Sequence, residues 1–407
     1  MVKETIVVFQ TKNTNLALYN ICRFTFYQNI FSLAGIYIHI PYCKQKCNYC
    51  NFHFSTKKDD IEEMIDSMIL ELETRKNYLN NEIIHSIYFG GGTPSIINSK
   101  YIIKIISKIK SLFIINPDAE ITMEFNPDDL HKDKLIEIKS AGINRLSIGI
   151  QSFHDEDLTF MNRSHNAKEA ISSIKLAKKY GFNNLSIDLI YGVQNQTSKM
   201  WRENLDQMNT LDVDHFSAYA LTVEPNTKLD YLINKQKIKP IDDKKTAEHF
   251  KILQENAKKM NYTQYEISNF CKKNKFALHN TSYWKNKNYL GIGPSAHSYN
   301  GVSRQWNISN NTIYISSINN KKIAFQEEFL SIKQNYNEYI LTALRTIWGV
   351  NLDYVNNHFS ESINSHFIKS SKKCINNKDA KIDDNHLILT NKGMLFADSI
   401  SADLFII

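Results

Sequence analysis

No uninterrupted apolar run in the 407-residue chain approaches the roughly 20 residues that a membrane-spanning helix needs, so the protein is expected not to cross a bilayer. Cysteine is scarce as well: six in a chain this long are too few for a disulfide scaffold. Three of the six, Cys43, Cys47 and Cys50, nevertheless crowd into eight residues, which points to metal binding in a reducing compartment, the cytoplasm or an organelle matrix. Cys22, Cys271 and Cys374 stand apart from any ligand spacing and read as buried or incidental thiols. Charge of one sign is nowhere gathered into a block. The formal +7 is spread through Lys-rich helices, which favours anionic partners such as phosphates, carboxylates or acidic membrane surfaces and gives no specific indication of nucleic acid. What is present, 42% hydrophobic and 22% charged residues, describes a globular chain long enough for one large domain and a smaller one. Its many Asn, Ile and Lys residues carry no functional weight.

Residues 1–34 lack clear periodicity and have neither a signal-peptide core nor an Arg-rich amphipathic pattern, so they are expected to form an N-terminal extension outside the fold. From Gly35 onward Ile36, Ile38 and Ile40 alternate with Tyr37 and His39 as a strand should. A helix follows from Asp60, its expected N-cap, with Ile61, Met64, Ile65, Met68, Ile69 and Leu72 on one face. Further strands are expected at Ser86 to Phe89, Glu120 to Phe125, Arg145 to Ile150, Leu185 to Ile190 and His215 to Leu221, each separated from the next by a helical segment. Such alternation implies parallel strands with site residues at their C-terminal ends, an α/β partial TIM-type (βα)6 barrel over 35–240. A connecting region over 241–325 begins with a helix from Asp242 to Met260. A small helical domain is expected over 326–407, with helices at Glu338 to Ile347 and Asn391 to Leu404, a strand at His386 to Leu389 and a winged-helix-like pattern.

The loop after the first strand carries Tyr37-Ile-His39-Ile-Pro41-Tyr-Cys43, then Cys47 and Cys50, a Cys-x3-Cys-x2-Cys spacing that lets three thiolates converge. Two readings follow. Three thiolates hold a 4Fe-4S cubane with one iron open, or His53 completes a Cys3His zinc site. A second motif favours the cluster: the strand ending at Phe89 runs into Gly90-Gly91-Gly92-Thr93-Pro94, where missing side chains let a ligand approach the backbone and Pro94 stiffens the exit. A zinc knuckle needs no such loop.

Together these motifs resemble the radical S-adenosylmethionine (SAM) branch that contains oxygen-independent coproporphyrinogen dehydrogenases and the HemW heme chaperones. The resemblance extends through Glu124 in Met-Glu-Phe-Asn-Pro, Gln151 in Ser-Ile-Gly-Ile-Gln-Ser-Phe, Arg163 in Met-Asn-Arg and Asp188 in Ile-Asp-Leu-Ile-Tyr-Gly. It implies that Cys43, Cys47 and Cys50 hold the cluster and that SAM chelates the open iron, where electron transfer cleaves a carbon–sulfur bond. It further implies that Tyr37 and Tyr49 flank SAM or its adenine and that Gly91, Gly92 and Thr93 meet its methionyl part. Glu124, Gln151, Arg163 and Asp188 would then hold its ribose and carboxylate groups.

Two features separate the branches. Dehydrogenases carry a further cysteine two residues after the third, where this chain has Phe52. The segment His279-Asn-Thr-Ser-Tyr283-Trp284 matches the His-Asn-x-x-Tyr-Trp signature of the chaperones, which implies heme on the His279 imidazole with Tyr283 and Trp284 packed on the ring. His297 is a second candidate ligand or SAM contact. The chain departs from the chaperone pattern at Asn51, usually Asp, and at Gln194, usually Pro. The expectation is therefore a heme chaperone that passes heme to an acceptor protein, with oxidative decarboxylation of coproporphyrinogen III as the catalytic alternative. Peripheral membrane association and a homodimer are compatible with the sequence, as is the rival zinc-stabilised module.

Overall fold

The computed structural model describes residues 34–407. Of the expected extension 1–34 all but Ala34 lies outside the described residues, as does Cys22. The first strand, β1, spans Ala34–Ile40. Ile36, Ile38 and Ile40 are fully buried on one face, so strand alternation turns Tyr37 and His39 to the other. Helix Ile61–Thr74 then buries Met64, Ile65, Met68 and Leu72 against this sheet, and each such side chain contributes about 1.5–3 kcal/mol on leaving water. Asp60 occupies the N-cap position without capping by its side chain. Its Oδ1 instead accepts from Tyr42 Oη at 2.7 Å, which ties the cysteine loop to the helix.

The alternation repeats through β2 (Ile84–Gly91), β3 (Ile115–Phe125), β4 (Arg145–Gln151), β5 (Asn184–Tyr191) and β6 (His215–Ala220), each reached through a helical crossover. All five successive pairings are parallel. The fold is α/β of the partial TIM type, and its six expected strands are present. The sheet is nevertheless wider than six. Beyond β6 lie β7 (Thr263–Glu266) and β8 (Asn269–Cys271), antiparallel, with β8 next to β6. On the opposite side β9 (Tyr289–Ile292) pairs parallel with β1, followed by antiparallel β10 (His297–Tyr299), β11 (Ser303–Asn307) and β12 (Phe325–Phe329). The stretch expected as the heme-motif and connecting region over 241–325 thus supplies β7 to β11 of the flanks of one 12-stranded sheet, and β12 carries that sheet past the expected boundary at 326. Strands of three to five residues with polar side chains leave too short an alternation to be read from sequence. Helix Asp243–Lys259 is present as expected, and Asp242 caps it by accepting from the backbone N–H groups of Lys244 and Lys245.

The C-terminal unit has its own core, in which Tyr336, Ile340, Phe367, Leu387 and Leu404 meet. Its first helix, Ile332–Leu344, starts earlier than expected because Ser331 and Gln334 form a capping box. The strand His386–Leu389 is present, and helix Ala397–Leu404 occupies the end of the expected terminal helix. Helix Glu361–Asn376, which buries Ile363, Phe367 and Cys374, was not anticipated. Among the described residues no helix is long and apolar enough to cross a membrane.

One buried charge pair joins the late strands to the first βα unit. Glu71, fully buried, accepts from Gly293 N at 2.9 Å, Asn307 Nδ2 at 2.8 Å and Tyr314 Oη at 2.6 Å. Arg75 Nη1 donates to Glu71 Oε1 and to Gly291 O, each at 3.2 Å, and its Nη2 donates to Gln305 Oε1 at 2.7 Å. Removing one partner strands the other charge in the interior. Arg75→Met is therefore expected to lower the unfolding free energy by about 3–5 kcal/mol, read from urea denaturation. A loss below about 1 kcal/mol would show that the pair does not hold the flank.

Candidate functional site

Because β1 to β6 run parallel, the loops leaving their C-terminal ends gather at one mouth. The cysteine loop is tied there on several sides. Cys43 N donates to Ser55 O at 3.0 Å and Ser55 N to Pro41 O at 2.8 Å, closing the loop on itself. Asn48 N donates to Met161 O at 3.1 Å, and Leu229 N to Asn48 O at 2.8 Å, anchoring its middle across the mouth. Lys44 pairs with Asp128 at 2.8 Å and also with Asp129.

Cys43, Cys47 and Cys50 are all partly exposed. Burial pushes the Cys43 thiol up to about 11, with repulsion from Cys50 and Cys47 adding and the Thr93 hydrogen bond and Arg163 opposing. Burial likewise raises Cys50. Thr93 Oγ1 donates to Cys43 Sγ at 3.4 Å, and Arg163 Nη1 donates to Cys47 Sγ at 3.3 Å. Three neighbouring thiols served by hydroxyl and guanidinium donors suit a cubane held by three thiolates, whose net negative charge those donors offset.

The zinc reading fares differently. His53 shares a hydrogen bond through Nε2 with Asn311 Oδ1 at 2.8 Å, and its ring stacks on His39 at 6.2 Å. Its Nε2 is thereby committed to Asn311.

The glycine run has reasons internal to the chain. A Cβ on Gly92 would lie 2.5 Å from Tyr42 O, and one on Gly91, at φ +107°, would meet the His39 ring at 2.8 Å. Gly92 N donates to Ile40 O at 2.9 Å and Thr93 N to Tyr42 O at 2.7 Å, so this segment stitches the cysteine loop to β2. Their absence of side chains was expected to admit a ligand. In the structure it first admits the cysteine loop itself.

The polar interior face of the sheet brings most of the remaining candidates together. A Cβ on Gly90 would meet Tyr88, Glu124 Oε1 and Tyr37 within 3.1 Å, which places those three side chains around one point. Tyr88 Oη donates to Glu124 Oε1 at 2.7 Å, and Tyr37 stacks on Tyr88 at 6.1 Å. Tyr88 was missed, although it occupies the inward position of β2 directly opposite Tyr37. Burial pushes the Glu124 carboxyl up to about 8, repulsion from Asp188 adding and the Tyr88 hydrogen bond opposing. Burial also lifts Asp188 to about 6 against hydrogen bonds from Ser217 and Ser147.

Arg163 crosses between this face and the cysteine loop, its Nη2 donating to Asn126 Oδ1 at 2.8 Å and to Gly149 O at 2.9 Å. Its Nε is buried and has no hydrogen-bond partner among the described residues. Gln151, at φ 66° after a register shift in β4, is a strained non-glycine residue whose amide lies over Gly149 beside Arg163. Tyr49 also meets Arg163 and packs against the small apolar cluster that includes Leu158, Met161 and Leu221.

The heme signature divides. His279 is only 1% exposed. Its Nδ1 shares a hydrogen bond with Ser86 Oγ at 2.8 Å, and its Nε2 shares one with Tyr283 Oη at 2.7 Å. The expected imidazole ligand is therefore a buried residue with both nitrogens engaged, and burial lowers its pKa to about 3, keeping it neutral. Tyr283 and Trp284, by contrast, line an open cavity of about 720 Å³, together with Tyr37, Phe52 and His297.

Raising a carboxyl pKa makes the folded state the better proton binder between the ordinary value of 4.5 and the folded value of about 8. Stability must then fall as pH rises through that window, because the unfolded chain has released a proton that the folded one still holds. Glu124→Gln is expected to flatten the decline between about pH 5 and about pH 8 in urea midpoints of the full chain. An unchanged slope would place the carboxyl outside this buried setting.

Residues 37–208 match the Radical SAM superfamily. Heme chaperone HemW of Bacillus subtilis is 30% identical over 376 residues, covering 90% of this chain and 98% of that protein. Heme chaperone HemW of Buchnera aphidicola subsp. Schizaphis graminum is 34% identical over 380 residues, covering 90% and 96%. The solved coproporphyrinogen III oxidase HemN of Escherichia coli superposes with a TM-score of 0.79 over 93% of this chain and 92% of that one, a likeness of fold at 20% identity. The kinship to the two bacterial proteins runs through the barrel, both flanks of the sheet and the C-terminal unit alike, and the chain belongs to the HemW family within the radical SAM superfamily.

Proposed function

We propose that this chain is a heme chaperone that binds a 4Fe-4S cluster, SAM and heme and delivers heme to an acceptor protein. Cys43, Cys47 and Cys50 would hold the cluster, with Thr93 and Arg163 donating to two of the sulfurs. Bound SAM would supply reductive cleavage chemistry at its sulfonium. Around it Tyr37, Tyr49, Gly91, Gly92 and Thr93 would enclose the adenine and methionyl parts. Glu124, Gln151 and Asp188 would accept from ribose hydroxyls or the ammonium group, and the unpartnered Arg163 Nε offers a remaining donor to the carboxylate.

The observation that carries the heme reading is the cavity of about 720 Å³ beside the cysteine loop, within the usual size range for small-molecule and cofactor sites. Tyr283 and Trp284 would pack on the porphyrin, while His279 supports Tyr283 from behind. In functional terms 35–240 would carry the cluster and SAM and 241–325 the cavity wall, with 326–407 closing the cavity through Thr342. The reducing cytoplasm suits exposed cluster thiols, and the spread positive charge would allow contact with an acidic membrane surface.

Coproporphyrinogen III decarboxylation is the second reading, favoured by the likeness of fold to HemN and weakened by Phe52 where dehydrogenases carry cysteine. An anaerobic hemin titration of the reconstituted protein, run beside a turnover assay with coproporphyrinogen, SAM and reductant, separates the two. Saturable binding near one heme per chain without turnover is expected. Turnover without heme binding would establish the enzyme instead.

A further inference from the structure

The two ends of the 12-stranded sheet differ. Beyond β7 the chain itself closes the edge: Ile347 N donates to Tyr265 O at 3.0 Å, Ile267 N donates to Arg345 O at 3.1 Å, and Glu266 bridges to Thr346. At the other end β12 has β11 on one side and no strand on the other among the described residues. Ile308 N donates to Ala324 O at 2.9 Å and Leu330 N to Val302 O at 3.4 Å, which sets the phase of this ladder. In an antiparallel pair alternate residues point their backbone groups at the neighbour. Those of Gln326 and Glu328 therefore face β11, and those of Phe325, Glu327 and Phe329 face outward, an open edge onto which a further strand can pair.

The side chains of this edge select what fits it. Phe325 and Phe329, the latter 69% exposed, share one face of β12 with Glu327 between them. Val302, next to the Ser303 that pairs with Phe329, is exposed as well. Glu327 Oε1 accepts from Ser303 Oγ and Gln305 Nε2, each at 2.8 Å, and Glu328 Oε1 accepts from Gln334 Nε2 at 2.6 Å. Both carboxylates are held by neutral donors and form no ion pair among the described residues, and its hydrogen bonds keep Glu327 below the ordinary carboxylate range. On a chain of net charge +7 this edge is locally acidic. A second copy is a poor occupant, because full antiparallel overlap of two β12 strands sets Glu327 against its own counterpart.

We propose that β12 is a docking edge for a second protein, which adds an extended basic segment antiparallel to Phe325–Phe329 as one more strand of the sheet. Residues directly opposite in an antiparallel pair share a face and interact. The segment therefore reads apolar, basic, basic, polar, apolar, set in turn against Phe329, Glu328, Glu327, Gln326 and Phe325. Main-chain hydrogen bonds supply affinity, and the two basic residues supply selection. β12 adjoins β11, whose Arg304 stands in the wall of the cavity of about 720 Å³, so a protein seated here lies one strand from that cavity. The proposal goes beyond the heme-chaperone reading and stands or falls without it.

The test is a fluorescence-anisotropy titration of the full-length protein with the labelled peptide Thr-Val-Lys-Lys-Thr-Val-Thr, joined to hydrogen exchange of the β12 segment read by mass spectrometry. Saturable binding that slows exchange across Phe325–Phe329 is expected. N-methylation of both valines and the second lysine, whose N–H groups would face β12, should weaken binding by about tenfold or more, and methylation of the intervening nitrogens should not. Phe329→Pro, which removes an outward N–H and leaves the β11 ladder in place, should weaken it similarly. The double variant Glu327→Lys/Glu328→Lys should reject this peptide and take its counterpart with glutamates in place of the lysines. Binding indifferent to which nitrogens carry methyl groups would reveal a contact of charge alone and overturn the proposal. Exchange already slow in the free protein would show the edge closed by this chain or its copy and overturn it equally, as would absence of binding.

Discussion

Three thiols must be brought together at the mouth of the sheet without a disulfide forming between them and without the loop collapsing onto the barrel. The structure meets this constraint by spending backbone hydrogen bonds on the cysteine loop. Pro41 and Ser55 close it, Met161 and Leu229 grip Asn48 from opposite directions, and Gly92 and Thr93 pair with Ile40 and Tyr42 along its first limb. Arg163 then joins the loop to the interior face, donating to Cys47, Asn126 and Gly149 from one guanidinium. A fixed cation at that point opposes the charge that three thiolates would accumulate, and a planar fork of donors holds orientation as well as charge. The remaining site residues inherit their positions from these ties.

Much of the fold was legible because long parallel strands declare themselves. Ile36, Ile38 and Ile40 alternate cleanly, and Met64, Ile65, Met68 and Leu72 recur at helical spacing, since each must face the same core. The flanks were not legible. A strand such as Asn269–Cys271 or His297–Tyr299 is too short for alternation to rise above chance, and its stability comes from neighbours distant in sequence. Asp60 shows the same limit at a helix start: the residue type was right for a cap, but Tyr42 claimed its carboxylate. Helix Glu361–Asn376 escaped because its buried positions are interspersed with Ser, Lys and Asn.

The site divides along a similar line. Spacing singled out the cysteine triad as a candidate, since three thiolates need chain proximity that sequence displays directly. The glycine run was recognised but its reason was incomplete, because only coordinates show Tyr42 O against Gly92 and His39 against Gly91. His279 illustrates the opposite outcome. A motif identifies which residues matter without saying whether a nitrogen is open, and here Ser86 and Tyr283 occupy both. Tyr88 had no motif to mark it, yet its inward place on β2 puts its hydroxyl on Glu124. Glu124 and Asp188 owe their raised pKa values to that shared interior, a property that no local sequence pattern encodes.

The central claim is an open iron in a cluster held by Cys43, Cys47 and Cys50. Low-temperature EPR of the anaerobically reconstituted, dithionite-reduced protein, recorded before and after addition of SAM, tests it most directly. The account predicts a reduced 4Fe-4S signal whose g values shift on SAM addition, and loss of that signal in a Cys43→Ala variant. A cluster signal indifferent to SAM, or a protein that takes up zinc in place of iron and sulfide, would contradict it.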